Sequence, residues 1–142
     1  MSSPTQRTLA LVRSMSMAAQ VVERWNPHAK IRQDLFGCID IVACGADIWG
    51  IQACAGSSAS ARVKKSMEQP GLLAWLQAGG RFVVMAWAKR GARGKPKLWT
   101  ARSIEIVWPT NGGALQQREF AFDRDAGGTF AVFPIRWAFS CN

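Results

Sequence analysis

The chain has 142 residues, of which 49% are hydrophobic and seven are tryptophan, which predicts one domain with a substantial core and excludes a mainly disordered chain. No apolar run approaches the roughly 18 residues of a membrane-spanning helix, and the N-terminal segment lacks the apolar stretch of a secretory signal, so a cytoplasmic protein is expected. The net charge of +9 favours a polyanionic partner.

The first half of the chain alternates apolar segments with turn signals. A helix is predicted from about Pro4 to Met15, and then a strand over 18–25 that ends before Pro27, because proline cannot continue a strand ladder. Residues 36–44 and 48–55 are rich in β-branched and small apolar residues and are separated by Gly-Ala-Asp. This pattern predicts a hairpin of two largely buried strands.

The middle of the chain is predicted to be helical and then to return to the sheet. Serines open a helix over 57–69, since their hydroxyls can cap free backbone N–H groups. Pro70 starts a second helix that Gly79 and Gly80 end. Residues 81–90 and 97–108 then form a hairpin of two strands.

The C-terminal segment has a different character. Residues 118–122 predict a strand, and residues 129–139 predict a second one with apolar side chains at alternate positions. We therefore predict a core domain over 1–108 and a C-terminal β-hairpin extension over 109–142, packed on the core or at a dimer interface. The order of elements predicts an α/β (α+β) fold with a mixed β-sheet flanked by helices.

The cysteines and the single histidine argue against a structural zinc site. Cys38, Cys44, Cys54 and Cys141 contain no Cys-x-x-Cys pair, and His28 is the only histidine, whereas such sites usually use four nitrogen or sulfur ligands in short paired spacings. Four cysteines can also form disulfides, but buried free thiols are expected in a chain without an export signal.

Positive charge is concentrated in one predicted hairpin loop. Between Gln69 and Ile104 there are seven basic residues and no acidic one. Such a segment predicts nucleic-acid binding, because Lys and Arg displace counterions from phosphates; the alternative is a solvated loop that only aids solubility. Trp87 or Trp99 beside this loop can stack on bases. The basic residues of the loop itself are Lys89, Arg90, Arg93, Lys95 and Lys97.

Two polar residues interrupt the first predicted hairpin. Asp40 lies in the first strand and Gln52 in the second, and a turn at 45–47 would place the two side chains side by side. Burial of an unpaired carboxylate is costly, so Asp40 needs backbone donors, a cation or a metal nearby. Two such oxygen-bearing groups are typical of a Mg²⁺ site; the alternative is a structural carboxylate beside a core amide.

The residues around this pair resemble a nuclease motif. A helix and a strand are followed by a strand that bears Asp40 and by a strand that bears the triplet at 52–54 (QAC). This order resembles the PD-(D/E)XK nuclease superfamily, and more narrowly its small phage and archaeal Holliday-junction-resolvase-like members. Residues 34–37 (DLFG) and 57–65 (SSASARVKK) also carry the resemblance, which covers about residues 8–106. It implies a restriction-endonuclease-like sheet and Mg²⁺ or Mn²⁺ as cofactor.

The resemblance also implies roles for single residues. In that superfamily the first Asp and the acidic member of the triplet hold the metal, and a lysine orients or deprotonates the attacking water. Asp40 matches the first Asp, whereas Gln52 stands at the acidic position and Cys54 stands where the lysine is expected. A thiol does not replace a cation beside a phosphate, so this triplet departs from the family pattern.

Neighbouring residues are expected to supply what the triplet lacks. Lys64 or Lys65, on the following helix, can reach back toward the site, although only one of them can point inward; the alternative is that both form a solvated helix face. Glu23 or Asp34 can restore the missing carboxylate, although Asp34 also fits a turn-forming role. The candidate phosphate clamps are Arg32 and Arg62.

The function predicted from these features is metal-dependent hydrolysis of DNA phosphodiester bonds. The resemblance implies double-stranded or branched DNA as the substrate, a homodimer that makes two symmetric cuts, and a phage or prokaryotic origin. The first alternative is a catalytically inactive nuclease-fold protein that binds nucleic acid or a protein partner, which the uncharged Gln52 and Cys54 favour. The second is an unrelated basic assembly protein that uses its C-terminal hairpin.

Overall fold

The computed structural model describes residues 2–120, and these form a mixed sheet with helices on both faces. Within that range the helices are α1 (Pro4–Ser14), α2 (Ala59–Met67) and α3 (Pro70–Gln77), with a short 3₁₀ turn over Gly56–Ser58. The strands are β1 (Ala18–Val21), β2 (Arg24–Asn26), β3 (Ile31–Gln33), β4 (Ile41–Cys44), β5 (Ile48–Ala55), β6 (Arg81–Arg90), β7 (Leu98–Val107) and β8 (Gln116–Phe120).

Six of the strands form one sheet in the order β1-β4-β5-β6-β7-β8. Strands β5 and β6 are parallel, and every other neighbouring pair in this sheet is antiparallel. The parallel pair requires a crossover, which the 3₁₀ turn, α2 and α3 provide. The predicted mixed sheet flanked by helices is confirmed.

The two faces of the sheet bury different clusters. One cluster joins Leu11 and Val12 of α1 to Ile51 of β5, and the other joins Val63 of α2 and Leu72 of α3 to strand residues on the opposite face. Because side chains alternate along a strand, Gln52 and Cys54 of β5 lie on the α2 face. The polar pair predicted from the sequence therefore lies under α2 rather than under α1.

Several predicted bounds agree closely with the structure. Strands β5 and β6 occupy the predicted ranges, and β7 lies within its predicted range. Helix α1 begins at Pro4, where Ser3 and Gln6 form a capping box: the Gln6 backbone N–H donates to Ser3 Oγ at 3.2 Å, and the Ser3 backbone N–H donates to Gln6 Oε1 at 3.3 Å.

Two predicted strands were wrong in extent. The strand expected over 18–25 divides after Val21, because the backbone N–H groups of Val22 and Glu23 both turn to the carbonyl oxygen of Asp40, at 2.8 and 3.3 Å. The chain then leaves the main sheet, and β2 and β3 form a separate two-stranded ribbon. The strand expected over 36–44 is regular only in β4, since a tight turn precedes it.

The C-terminal extension is described only in part. Strand β8 begins two residues before the predicted 118–122 strand and pairs with β7 at the edge of the main sheet. Residues 121–142, with the second predicted strand of the hairpin over 129–139 and the proposed dimer contact, lie outside the described residues.

Candidate active site

Asp40 is a buried carboxylate at the start of β4, and β5 supplies its donors. The Gln52 Nε2 donates to Asp40 Oδ2 at 2.7 Å, and the backbone N–H of Ala53 donates to the same oxygen at 3.0 Å. Asp40 and Gln52 are each only 3% exposed. The antiparallel register that pairs Ile41 with Ile51 places them opposite each other, so the sequence prediction that they meet is confirmed.

A tight turn brings Asp34 back to Asp40. Leu35 forms an isolated bridge with Ile39, and Phe36 and Gly37 between them have φ values of 55° and 75°. Positive φ at two successive residues is the geometry of a hairpin turn of type I′. Because Leu35 and Ile39 pair, Asp34 and Asp40 follow as the next residues on the two sides and approach each other directly.

The geometry of this turn favours glycine at position 37. A Cβ atom there would lie 2.6 Å from the Gln69 side chain, and its positive φ disfavours any other residue. Phe36 adopts positive φ without that freedom, and such backbone strain in bulky residues is concentrated at functional sites.

Glu23 completes a cluster of three carboxylates. Glu23, Asp34 and Asp40 each offer an oxygen atom, and these atoms lie within 4.8 Å of one another. Asp40 is buried, whereas the other two are partly exposed. Glu23 also accepts a hydrogen bond from Arg32 Nη1 at 2.8 Å, so one cation already neighbours the cluster. Different segments position the three groups: Glu23 directly precedes β2, Asp34 directly follows β3 and Asp40 directly precedes β4.

The clustering changes the acidity of Asp40. Burial, together with the hydrogen bond to Asp34 and the negative charges of Asp34 and Glu23, raises the pKa of Asp40 to about 8, while the Ala53 N–H acts in the opposite direction. A carboxyl group with this pKa holds a proton at neutral pH. A cation that binds beside it must displace that proton, so binding would be linked to pH.

An open cavity of about 710 Å³ lies beside the cluster and is lined by one of its acids and by three bases. Asp34 and Phe36 form part of its wall, and α2 contributes Lys65. Its cationic lining residues are Arg24, Arg32 and Lys65. One carboxylate of the cluster, Asp34, and bases that can contact phosphate oxygens therefore face one space.

Helix α2 separates the two candidate lysines. Lys65 lines the cavity beside Asp34, and its charge lowers the pKa of the neighbouring Cys38 thiol against the dominant effect of burial. Lys64 lines a different cavity, with Arg102 and Gln117 near β7 and β8. The structure therefore brings Lys65, and not Lys64, to the side of the sheet that carries Asp34.

Arg62 precedes Lys65 by three residues and therefore lies on the same side of α2 as Lys65. Burial raises the pKa of the Cys54 thiol, and the charge of Arg62 acts in the opposite direction, which places Arg62 close to that thiol. Cys54 is 5% exposed. Its thiol is therefore a neutral group buried beneath α2.

The basic hairpin loop lies apart from this cavity. Residues 89–100 are all exposed, and they include Lys89, Arg90, Arg93, Lys95 and Lys97. The Arg7 guanidinium lies 3.6 Å from the centre of the Trp99 ring, so that ring already has a cation on one face. Trp87 is buried, and its Nε1 donates to Thr8 Oγ1 at 2.8 Å. Of the two tryptophans proposed to stack on bases, only Trp99 is accessible.

Sequence reasoning missed two features of the site. The sequence predicts a continuous strand through Arg24, but in β2 this residue lines the cavity. The sequence also predicts Glu23 or Asp34 as the additional carboxylate, whereas the structure brings both to Asp40. One signal is present in the sequence: the segment between Glu23 and Asp34 contains no acid, so the two carboxylates delimit a basic segment.

The contact of Gln52 with Asp40 is made by its amide nitrogen, which donates to Asp40 Oδ2 and so orients that carboxylate. Ligation of a metal by the amide oxygen of Gln52 stays a prediction.

Comparison of the chain with family models, with curated proteins and with solved structures gave no match. Among the helices of residues 2–120, none has both the length and the apolar character needed to cross a membrane.

Proposed function

We propose that this chain is a metal-dependent endonuclease that hydrolyses DNA phosphodiester bonds, possessing a Mg²⁺ or Mn²⁺ site formed by Glu23, Asp34 and Asp40. The observation that carries the proposal is the convergence of these three carboxylates, within 4.8 Å, at the edge of a cavity lined by basic residues. Oxygen-only donor sets of this kind suit hard divalent cations. Resemblance to the PD-(D/E)XK superfamily supports the same reaction class.

The donor set fits such an ion on electrostatic grounds. Three carboxylates at this separation repel one another, and the raised pKa of Asp40 reflects burial together with that repulsion. When bound, the ion would lower the pKa of the attacking water and neutralise the leaving oxygen. Gln52 and the Ala53 N–H fix the orientation of Asp40, and the Arg32 guanidinium fixes that of Glu23.

Lys65 and Arg62 take over the role of the missing lysine in this proposal. Cys54 is buried with a raised pKa and so carries no charge that could stabilise a phosphate. Lys65 lines the cavity from α2, and its flexible stem allows the ammonium group to approach a phosphate held beside the carboxylates. Arg62, on the same side of the helix, is proposed to clamp a phosphate oxygen.

Binding without cleavage is the second candidate function. It is favoured by one specific observation, the neutral pair Gln52 and Cys54 at the two positions where the superfamily carries charge. In this case the basic loop and the cavity would bind nucleic acid without a metal, and the affinity would fall steeply with salt.

The test is cleavage of end-labelled DNA by the whole chain with Mg²⁺, Mn²⁺ or EDTA. The substrates are a synthetic four-way junction and a duplex of the same sequence. We expect cleavage only with Mg²⁺ or Mn²⁺, and loss of at least about 100-fold in Asp40→Asn, because a carboxylate ligand becomes an amide. Two symmetric cuts in the junction would support a twofold dimer.

Glu68→Gln is the matched control, since Glu68 is an exposed acid near the end of α2 that is not part of the carboxylate cluster. It should cleave at the wild-type rate. Equal cleavage by Asp40→Asn and wild type would refute the site, and tight binding without cleavage under either ion would favour the second candidate.

A further inference from the structure

The β2–β3 ribbon lies outside the main sheet, and two of the three site carboxylates flank its two ends. Glu23 directly precedes β2 and Asp34 directly follows β3. The ribbon pairs Arg24 with Gln33 and Trp25 with Arg32. Any molecule that contacts the ribbon near its base is therefore adjacent to the carboxylate cluster.

The tip of the ribbon is held by a local hydrogen-bonded turn. Asn26 Oδ1 accepts hydrogen bonds from the backbone N–H groups of His28 and Ala29, at 3.0 and 3.2 Å. An Asx side chain that binds the next two or three backbone N–H groups rigidifies a turn. The ribbon is thus built as a defined element.

The surface of the ribbon combines positive charge with exposed apolar side chains. The segment contains no acid, and Trp25 and Ile31 are 57% and 51% exposed. Within residues 2–120 the Trp25 ring makes no aromatic or cation–π contact. The basic residues, with the histidine, are Arg24, His28, Lys30 and Arg32, and all are exposed.

Trp25 lies on the side of the ribbon that faces Glu23. Directly opposed residues share a face, so Trp25 lies beside Arg32, whose guanidinium contacts Glu23. Trp25 lies two residue steps along the extended chain from Glu23, which is about 7 Å, or about two nucleotides of stacked DNA. A base near the bond held at the cluster is therefore within reach of this ring.

We propose that the β2–β3 ribbon is a nucleic-acid-binding arm on which Trp25 stacks against an unpaired base next to the scissile phosphate, while Arg24 and Lys30 contact flanking phosphates. Stacking on an aromatic ring stabilises binding most when the face of the base is free, and bases inside an intact duplex have no free face. The substrate class is then DNA with unpaired bases at the cleavage position. The placement relative to cleavage rests on the proposed function, but the binding does not require catalysis.

The test measures binding in EDTA and in Ca²⁺, so that it is independent of cleavage. The probes are an oligonucleotide with 2-aminopurine in an unpaired stretch and the fully paired duplex of the same sequence. Wild-type protein should quench the unpaired fluorophore. Trp25→Ala should bind the unpaired probe about 5- to 100-fold more weakly, the effect of losing one stacked base, and should bind the duplex within twofold of wild type. Trp25→Phe should retain most of the affinity.

Trp108→Ala is the matched control, since Trp108 is also exposed (36%) but lines a groove beside α3. It should bind both probes like wild type. Unchanged binding of the unpaired probe by Trp25→Ala would overturn the proposal, and so would an equal loss on the duplex.

The two proposals fail differently. Trp25-dependent binding without cleavage under Mg²⁺ or Mn²⁺ would refute the proposed function but support the nucleic-acid-binding role of the ribbon. Metal-dependent cleavage that requires Asp40, with binding that does not depend on Trp25, would refute only the role of the ribbon.

Discussion

Replacement of Asp40 by asparagine should stabilise the metal-free protein while it abolishes the proposed activity. Asp40 Oδ2 accepts from Gln52 Nε2 and Ala53 N–H, and the carbonyl oxygen of an asparagine can accept both bonds. Its NH₂ group can donate toward Asp34, as a protonated carboxyl group does. The variant Asp40→Asn therefore imitates the protonated form of the site at every pH.

The magnitude follows from the raised pKa of Asp40, about 8 in the folded protein against about 4 in an unfolded chain. Between these values the folded state binds more protons, so the free energy of unfolding falls as pH rises through that window. The slope for one such group is at most about 1.4 kcal/mol per pH unit. Wild type should thus lose up to roughly 3 kcal/mol between pH 5 and pH 7, and Asp40→Asn should lose much less.

The assay is urea unfolding in EDTA at several pH values for wild type, Asp40→Asn and Glu68→Gln. Glu68→Gln should keep the wild-type slope, because Glu68 is an exposed acid that does not belong to the carboxylate cluster. Added Mn²⁺ should raise the stability of wild type most above pH 7, since the ion binds the deprotonated site. A wild-type slope that persists in Asp40→Asn would refute the assignment of the raised pKa to this residue.

Further expectations concern the helix lysines and a buried ion pair. Lys65→Ala should lower the cleavage rate by about 100-fold in a single-turnover assay, whereas Lys64→Ala should stay within about twofold because Lys64 lines another cavity; the reverse order would contradict the assignment. Arg81 donates to both oxygens of the buried Glu105 at 2.9 Å, so Arg81→Met should destabilise the fold by about 3 kcal/mol in urea unfolding. Asp47→Asn, which removes only an exposed partner of Arg81 at 3.3 Å, should cost less than about 1 kcal/mol, and equal losses would contradict the ranking.

The contact between Asp40 and Gln52 could be predicted because local signals fix the hairpin. The turn at 45–47 sets the register of β4 and β5, and a register fixes which side chains oppose each other. The apolar runs of β5 and β6 likewise carry strong strand signals at both ends, so their bounds were predictable.

The third carboxylate depended on features that a sequence pattern does not reveal. The segment 18–25 shows no glycine or proline after Val21 to indicate that the chain leaves the sheet; tertiary hydrogen bonds to the Asp40 carbonyl oxygen decide it. Asp34 reaches Asp40 only because Phe36 adopts positive φ, which is uncommon for a bulky residue. Adjacent lysines differ by about 100° around a helix, so only the packed orientation of α2 distinguishes Lys65 from Lys64.

The location of Mn²⁺ in crystals of this protein tests the central claim most directly. We expect one strong anomalous difference peak in contact with carboxylate oxygens of Asp34 and Asp40 and close to Glu23, and we expect that peak to vanish in Asp40→Asn. Mn²⁺ bound elsewhere, or no peak at this cluster at neutral to alkaline pH, would contradict the assignment of the cluster as the metal site of a nuclease.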